Sequence, residues 1–328
     1  EAVRRFERAW GATLPRARGL KATECFPAMV EGGVKGLFLF GEDPVRTDPD
    51  THHVIRALEA LEFFVVDDLF MTETAKYADV ILPGRSYAEK EGTFTNTERR
   101  VQRVRKAVDI AGDTRLDTDI FIEVMNRMGY SQPHLTAAEV MDEIAAVTPT
   151  YGGMSHARLD GDAVGGRGLQ WPCPNAEHPG TPILHMGEFA QGLGAFSTPD
   201  YQPSAELPDA EYPLVMMTGR ILYQYNACAM TARTDGVNEI ADHSFIELNT
   251  RDAEALGIAD GDAVRATTPT GEVTEGVAMV RGGQVKGAFS LSFGYGHDNY
   301  GAQDVEVDGQ RVEGNPAIAA GVLNSDKR

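Results

Sequence analysis

Apolar residues along this chain follow two rhythms, one helical and one extended. The opening run EAVRRFERAW places Val3, Phe6 and Trp10 at helical spacing and predicts an amphipathic helix. Residues 34–40 (VKGLFLF) form a continuous apolar run, read as a buried strand that ends in the loop Gly41-Glu42-Asp43-Pro44. A helix is expected over 51–61, with Val54, Leu58 and Leu61 on one face, followed by a strand over 63–67 (FFVVD). A short helix over 72–77 and a strand over 79–82 (DVIL) complete the series. Alternation of strand and helix predicts a parallel sheet with helices on its faces. Ligands of such sheets bind beyond the carboxyl ends of the strands, which points to segments 41–44, 67–74 and 83–96.

The rhythm then changes. Residues 119–128 predict a helix with Thr118 as N-cap and Gly129 as its stop. Thr136 and Glu139 form a capping box for a second helix that ends before Pro149. Residues 151–205, rich in Gly and Pro, read as loops. From about residue 210 the pattern is β-rich, with strands expected over 212–217, 262–268, 273–280 and 286–293. A helix over 249–256, ended by Gly257, is set among them. Several strands with glycine turns and one helix suggest a small barrel. Three domains are expected: 1–115, a connecting region 116–205, and 206–328.

Composition narrows the function. The net charge is −19, which argues against nucleic acid as a partner, because phosphate contacts need a basic face. Only seven Lys stand against 23 Arg, and an acidic surplus with scarce Lys suggests a high-salt cytoplasm. No apolar run approaches the roughly 18 residues of a membrane helix. The first residues lack an initiator Met and a signal-peptide core, so the chain is expected to continue upstream. Cys25, Cys173 and Cys228 are far apart, and the His residues show no HxxxH or HExxH spacing. That pattern points away from a metal or iron–sulfur cluster held by this chain's own ligands.

Several segments carry candidate chemistry. Gly41, Glu42 and Asp43 follow a strand; the carboxylates can accept hydrogen bonds from a ribose or guanine edge, although spacing alone favours an ordinary βα turn. Asp67 and Asp68 end the next strand, and Thr72 and Thr74 follow, either as ligand contacts or as caps of the short helix. Residues 83–105 hold Gly92 and Asn96 among Glu89, Glu91, Glu98 and five Arg; they suit an anionic ligand or a salt-bridged surface strand. Thr218, Gly219 and Arg220 follow the first strand of the last region, with Gln224, Asn226, Met230 and Thr231 beyond. Arg220 could meet a diphosphate there, although the residues alone favour a plain strand-to-loop transition on the surface. Near the end, residues 294–301 (GYGHDNYG) suggest a ligand-facing loop, with His297 expected to be structural rather than catalytic.

The order GEDP, VVDDLFMTETAKYADVILP, EGTFTNTERRVQR, LQWPCP, MTGRILYQYN and ELNTRDAEALGIADGDAVRATTPTG resembles the molybdopterin-guanine-dinucleotide oxidoreductases, above all the formate dehydrogenase alpha (catalytic) subunit. The resemblance covers nearly the whole chain. It implies an α/β fold: a Rossmann-like parallel sheet domain followed by a six-stranded double-psi-type β-barrel domain. It implies bis-molybdopterin guanine dinucleotide with Mo or W as cofactor. Gly41, Glu42, Asp43, Asp68 and Thr72 would line nucleotide sites. Arg220, Gln224 and Asn226, with Thr218, Gly219, Met230 and Thr231, would line a pterin or phosphate site, and Gly92 and Asn96 are further candidates. The metal-ligating Cys or selenocysteine, its neighbouring His, the active-site Arg and the 4Fe-4S cluster cysteines would lie upstream, so no catalytic residue is expected here. A small-molecule substrate, electron-transfer subunits and a cytoplasmic location are implied. The tail FGYGHDNYGAQDVEVDG and NPAIAAGVLNSD resembles the sulfur-oxyanion reductase branch, which keeps sulfur-oxyanion or nitrate reduction open. A non-catalytic scaffold like the large iron–sulfur subunit of complex I is a third possibility.

Overall fold

The computed structural model describes residues 1–292 except 49, 111, 162, 163, 190, 205, 242–244, 270 and 272, together with 305–307 and 310–312. Two compact units emerge, each assembled from separate stretches: residues 1–20, 67–70 and 81–199 in the first, and 21–66, 71–80 and 200–328 in the second.

Strands β1 (Gly36–Phe40), β2 (Phe63–Asp68) and β3 (Val80–Pro83) form a three-stranded parallel sheet in that order. Helices α1 (Ala2–Trp10) and α2 (Ala22–Val30) precede the sheet, and α3 (Pro44–Thr47) and α4 (Thr51–Glu59) connect β1 to β2. Asp50 caps α4 by accepting from His53 N–H, and Val54 and Leu58 point from α4 into a core with Val45, Phe64, Val66 and Ala75. The expected helical face is therefore the buried one. The short helix after β2 is a single 3₁₀ turn, Thr74–Tyr77.

In the first unit, β4 (Gly92–Thr95) and β5 (Arg100–Val104) make an antiparallel hairpin, extended by β6 (Leu169–Gln170). Helix α5 spans Asp117–Arg127 and α6 Ala137–Val147. The N-cap of α5 is Leu116, without a side-chain cap, rather than Thr118, and Asp117 at its first turn is instead ion-paired with Lys90. The capping box of α6 is present: Glu139 N–H donates to the Thr136 hydroxyl, and the Glu139 carboxylate accepts from Thr136. Residues 151–205 are not all loop, since α7 (His156–Asp160) and β6 lie there. Leu159 and Leu169 join Val101, Met141, Met154 and Cys173 in the core of this unit.

In the second unit, β7 (Val215–Gly219), β8 (Phe245–Asn249), β9 (Ala263–Thr267), β10 (Val273–Arg281) and β11 (Ala288–Ser292) form one mixed sheet in the order β7-β11-β8-β10-β9. β11 runs parallel to β7 and β10 parallel to β8, while β9 and β10 are an antiparallel hairpin. The short helix α8 (Asp235–Asn238) precedes β8, and α9 (Thr250–Leu256) follows it; Asn249 caps α9, and Gly257 ends it in the left-handed region. β8, in which Ile246 and Leu248 alternate with Glu247 and Asn249, is too short to stand apart from the expected helix that it runs into. The fold is thus mixed α/β, a parallel sheet with a second five-stranded sheet among the described residues. The tail segments 293–309 and 315–326, which carry the sulfur-oxyanion resemblance, and the 294–301 loop lie outside the described residues except for 305–307.

Candidate functional site

Within the second unit, three of the segments singled out by sequence come together. After β1 the chain turns at Gly41, whose φ of +62° is a left-handed conformation that suits glycine. Asp43 follows, 4% exposed, and its Oδ1 accepts from both the backbone N–H (3.0 Å) and the hydroxyl (2.7 Å) of Thr74. The same Thr74 hydroxyl oxygen accepts from Val45 N–H at 3.0 Å. Thr74 therefore stitches the 41–45 turn to the 71–74 segment. Asp43 Oδ2 is buried and has no hydrogen-bond partner. Glu42 is exposed beside it, and burial followed by the charge of Glu42 pushes Asp48 above the usual carboxylate range. The hydroxyl of Thr72 accepts from Ala75 N–H, so it caps the 3₁₀ turn.

The third segment follows β7. Thr218 and Gly219 are the last residues of that strand, and Arg220 is exposed immediately beyond it. Gln224 is buried and its amide is spent inside the loop: Nε2 donates to Ala241 O (2.8 Å) and Asn238 Oδ1 (3.3 Å), and Oε1 accepts from the Thr231 hydroxyl (2.6 Å). Gln224 and Thr231 thus shape the loop, while Asn226 and Met230 stay exposed on it. Asn226 and Cys228 both adopt positive φ, 49° and 62°, and the carbonyl of Ala227 between them accepts from Arg46 Nε. Arg233 Nη2 donates to Met71 O at 3.1 Å. Loops 41–46, 71–74 and 224–233 are therefore cross-bonded. Sequence reasoning missed Arg46 and underweighted Thr74, because neither carries a motif; only contacts 31 and 181 positions away reveal them.

Asp68, Gly92 and Asn96 belong to the first unit. Asp68 Oδ1 accepts from Phe70 N–H, a local turn at the tip of β2. Asn96 Oδ1 accepts from Arg100 N–H and shapes the β4–β5 turn, and Gly92 O accepts from Arg103. The Arg-rich strand is paired with acids: Arg100 with Glu98, Arg103 with Glu91 and Asp160, and Arg105 with Asp160. Arg99 instead reaches the carbonyls of Trp171, Thr181 and Pro182 and stacks over the Trp171 ring. The salt-bridged surface strand is the arrangement observed. Among the described residues no cluster of three or more His, Cys, Asp or Glu is arranged to hold a metal ion. No helix among them is long and apolar enough to cross a membrane.

Residues 7–127 match the family described as Molybdopterin oxidoreductase, and residues 214–317 match the Molydopterin dinucleotide binding domain. The chain is 47% identical over 298 residues to F420-dependent formate dehydrogenase 2 subunit alpha of Methanococcus maripaludis, covering 89% of this chain and 43% of that protein. It is 41% identical over 273 residues to F420-dependent formate dehydrogenase subunit alpha of Methanocaldococcus jannaschii, covering 82% of this chain and 40% of that protein. The chain thus spans less than half the length of these curated relatives. Acetylene hydratase from Pelobacter acetylenicus shares the fold at a TM-score of 0.62 and 20% identity, over 89% of this chain and 42% of that structure. Two domains matched in order, with relatives named as alpha subunits at 41–47% identity, show that the chain belongs to the molybdopterin oxidoreductase family.

Proposed function

We propose that this chain is the cofactor-holding portion of a formate dehydrogenase alpha subunit and binds bis-molybdopterin guanine dinucleotide carrying Mo or W. The observation that carries this reading is the cross-bonding of three strand-end loops, 41–46, 71–74 and 224–233, in one unit. The residues fit the group: Asp43 Oδ2 is a buried acceptor without a partner, suited to the N–H donors of a guanine or ribose. Glu42, Arg220, Asn226 and Met230 are exposed around these loops. Thr72, Gln224 and Thr231 act one step back, by fixing backbone and loop shape. The C-terminal sheet would be five strands of a six-stranded double-psi barrel, and the three-region division at 115 and 205 would mark the domains. Asp68, Gly92 and Asn96, in the other unit, would serve a second nucleotide.

When bound, the metal–pterin group supplies the two-electron step that takes formate to carbon dioxide with release of a proton. This chain's residues hold and orient that group and contribute no ligand to the metal. Electrons would leave to F420 through partner subunits, as the names of the methanogen relatives suggest, from a cytoplasmic enzyme. Those names weigh against the sulfur-oxyanion, nitrate and scaffold alternatives. Arg220→Ala in the intact subunit tests the assignment. Retained guanine nucleotide and Mo or W, assayed by mass spectrometry, should fall at least about tenfold, the loss of a charge-assisted contact. Full cofactor content in that variant would remove Arg220 from the site.

A further inference from the structure

Asp67 is a carboxylate that the cofactor reading does not use. It ends β2, is 1% exposed, and neither of its oxygens has a hydrogen-bond partner. The charged groups facing it are Asp68 on its own strand, Asp117 at the start of α5, and Lys90. Lys90 gives its ammonium to Asp117 Oδ2. One cation therefore faces several carboxylates. Gly84 seals the cluster: a β-carbon there would lie 2.7 Å from Asp117 Oδ1 and 3.0 Å from Asp67 Oδ1. The surrounding backbone is a junction of three segments, since Gly84 N–H donates to Asp68 O at 3.1 Å and Arg115 N–H donates to Pro83 O at 3.0 Å.

A buried ionised carboxylate without partners is strongly disfavoured, so something must neutralise it. Asp67 is closed to solvent, which excludes a base or a phosphate and leaves only a small neutraliser. We propose that Asp67 is a proton-operated latch that closes the junction of β2, the Gly84 turn and the start of α5 when protonated and loosens it when ionised. Protonated, Asp67 adds no charge beside the Asp117 carboxylate; ionised, it faces that carboxylate as a like charge. Burial, then Asp117 and Asp68, against an opposing contribution from Lys90, push the Asp67 carboxyl up to about 6. The folded group thus binds its proton more tightly than in an open chain, where it titrates near the ordinary 3.8. The stabilisation is complete below about pH 4, is lost as pH rises to about 6, and stays lost above.

Amide hydrogen exchange on the intact subunit from pH 4 to pH 7.5, corrected for intrinsic exchange, tests the latch. Segments 67–70, 81–90 and 115–120 should lose protection on the order of a hundredfold between pH 4 and 6.5, then level off; that factor is the roughly two-unit shift converted by linkage. α6 serves as the internal control. Asp67→Asn should hold the same segments at their acid-level protection at every pH. Asp117→Asn should move the midpoint down, because a like charge is removed, and this arm does not depend on Asp67→Asn folding. A flat wild-type profile, an unchanged midpoint in Asp117→Asn, or an Asp67→Asn protein deprotected at all pH values would each overturn the proposal. So would protection at pH 7.5 that changes when K⁺ or Na⁺ replaces choline at fixed ionic strength, since a bound cation would then be the neutraliser.

Discussion

Thr74 shows how much one buried hydroxyl can decide. It is fully buried, donates to Asp43 Oδ1 and accepts from Val45 N–H, so removing its oxygen orphans a backbone donor. Thr74→Val, equal in shape, should cost about 2–3 kcal/mol, because the buried partners lose their bonds while the packing survives. Thr72→Val removes only one cap bond, to Ala75, and should cost about 1 kcal/mol. Urea denaturation of the two variants compares them; equal losses would show that the stitch to Asp43 adds nothing. The TET triplet drew attention in the sequence as ligand contact or cap. Spacing could not distinguish the two threonines, because what separates them is a carboxylate 31 residues away. Gln224 illustrates the reverse case. Its side-chain type suggested a ligand contact, yet the fold occupies its amide with Ala241, Asn238 and Thr231.

At the scale of elements, local signals worked where they act locally. The Thr136–Glu139 box starts α6, and Gly257 ends α9 with φ +71°. Thr136→Ala should lower stability by about 1 kcal/mol, with Thr136→Ser restoring most of it, seen as a shifted denaturation midpoint at unchanged slope. A change in slope instead would place the effect in the unfolded chain. The start of α5 was misplaced by two residues because Thr118 is a good cap in isolation, whereas Asp117 is held by Lys90, 27 residues earlier. Strand β8 was missed because its five residues, FIELN, run straight into the capping Asn249 of the next helix. Its strand character comes from pairing with β10 and β11.

For the whole molecule, charge is the property that composition states outright. A net charge of −19 favours expansion unless salt screens it. The thermal midpoint of this chain should therefore rise from about 0.05 M to 1 M KCl, as the screening length falls to about 3 Å. A midpoint that falls over that range would contradict self-repulsion as the governing influence. The sequence alone determined the strand–helix alternation of the first region, the helix stops and the family, because periodicity, caps and motif order are properties of neighbours along the chain. Tertiary structure decided which candidates meet. It joined loops 41–46, 71–74 and 224–233 in one unit, placed Asp68, Gly92 and Asn96 in the other, and sealed Asp67 beside Asp117. Those outcomes depend on burial and on bonds between residues far apart in sequence, so no local pattern can encode them.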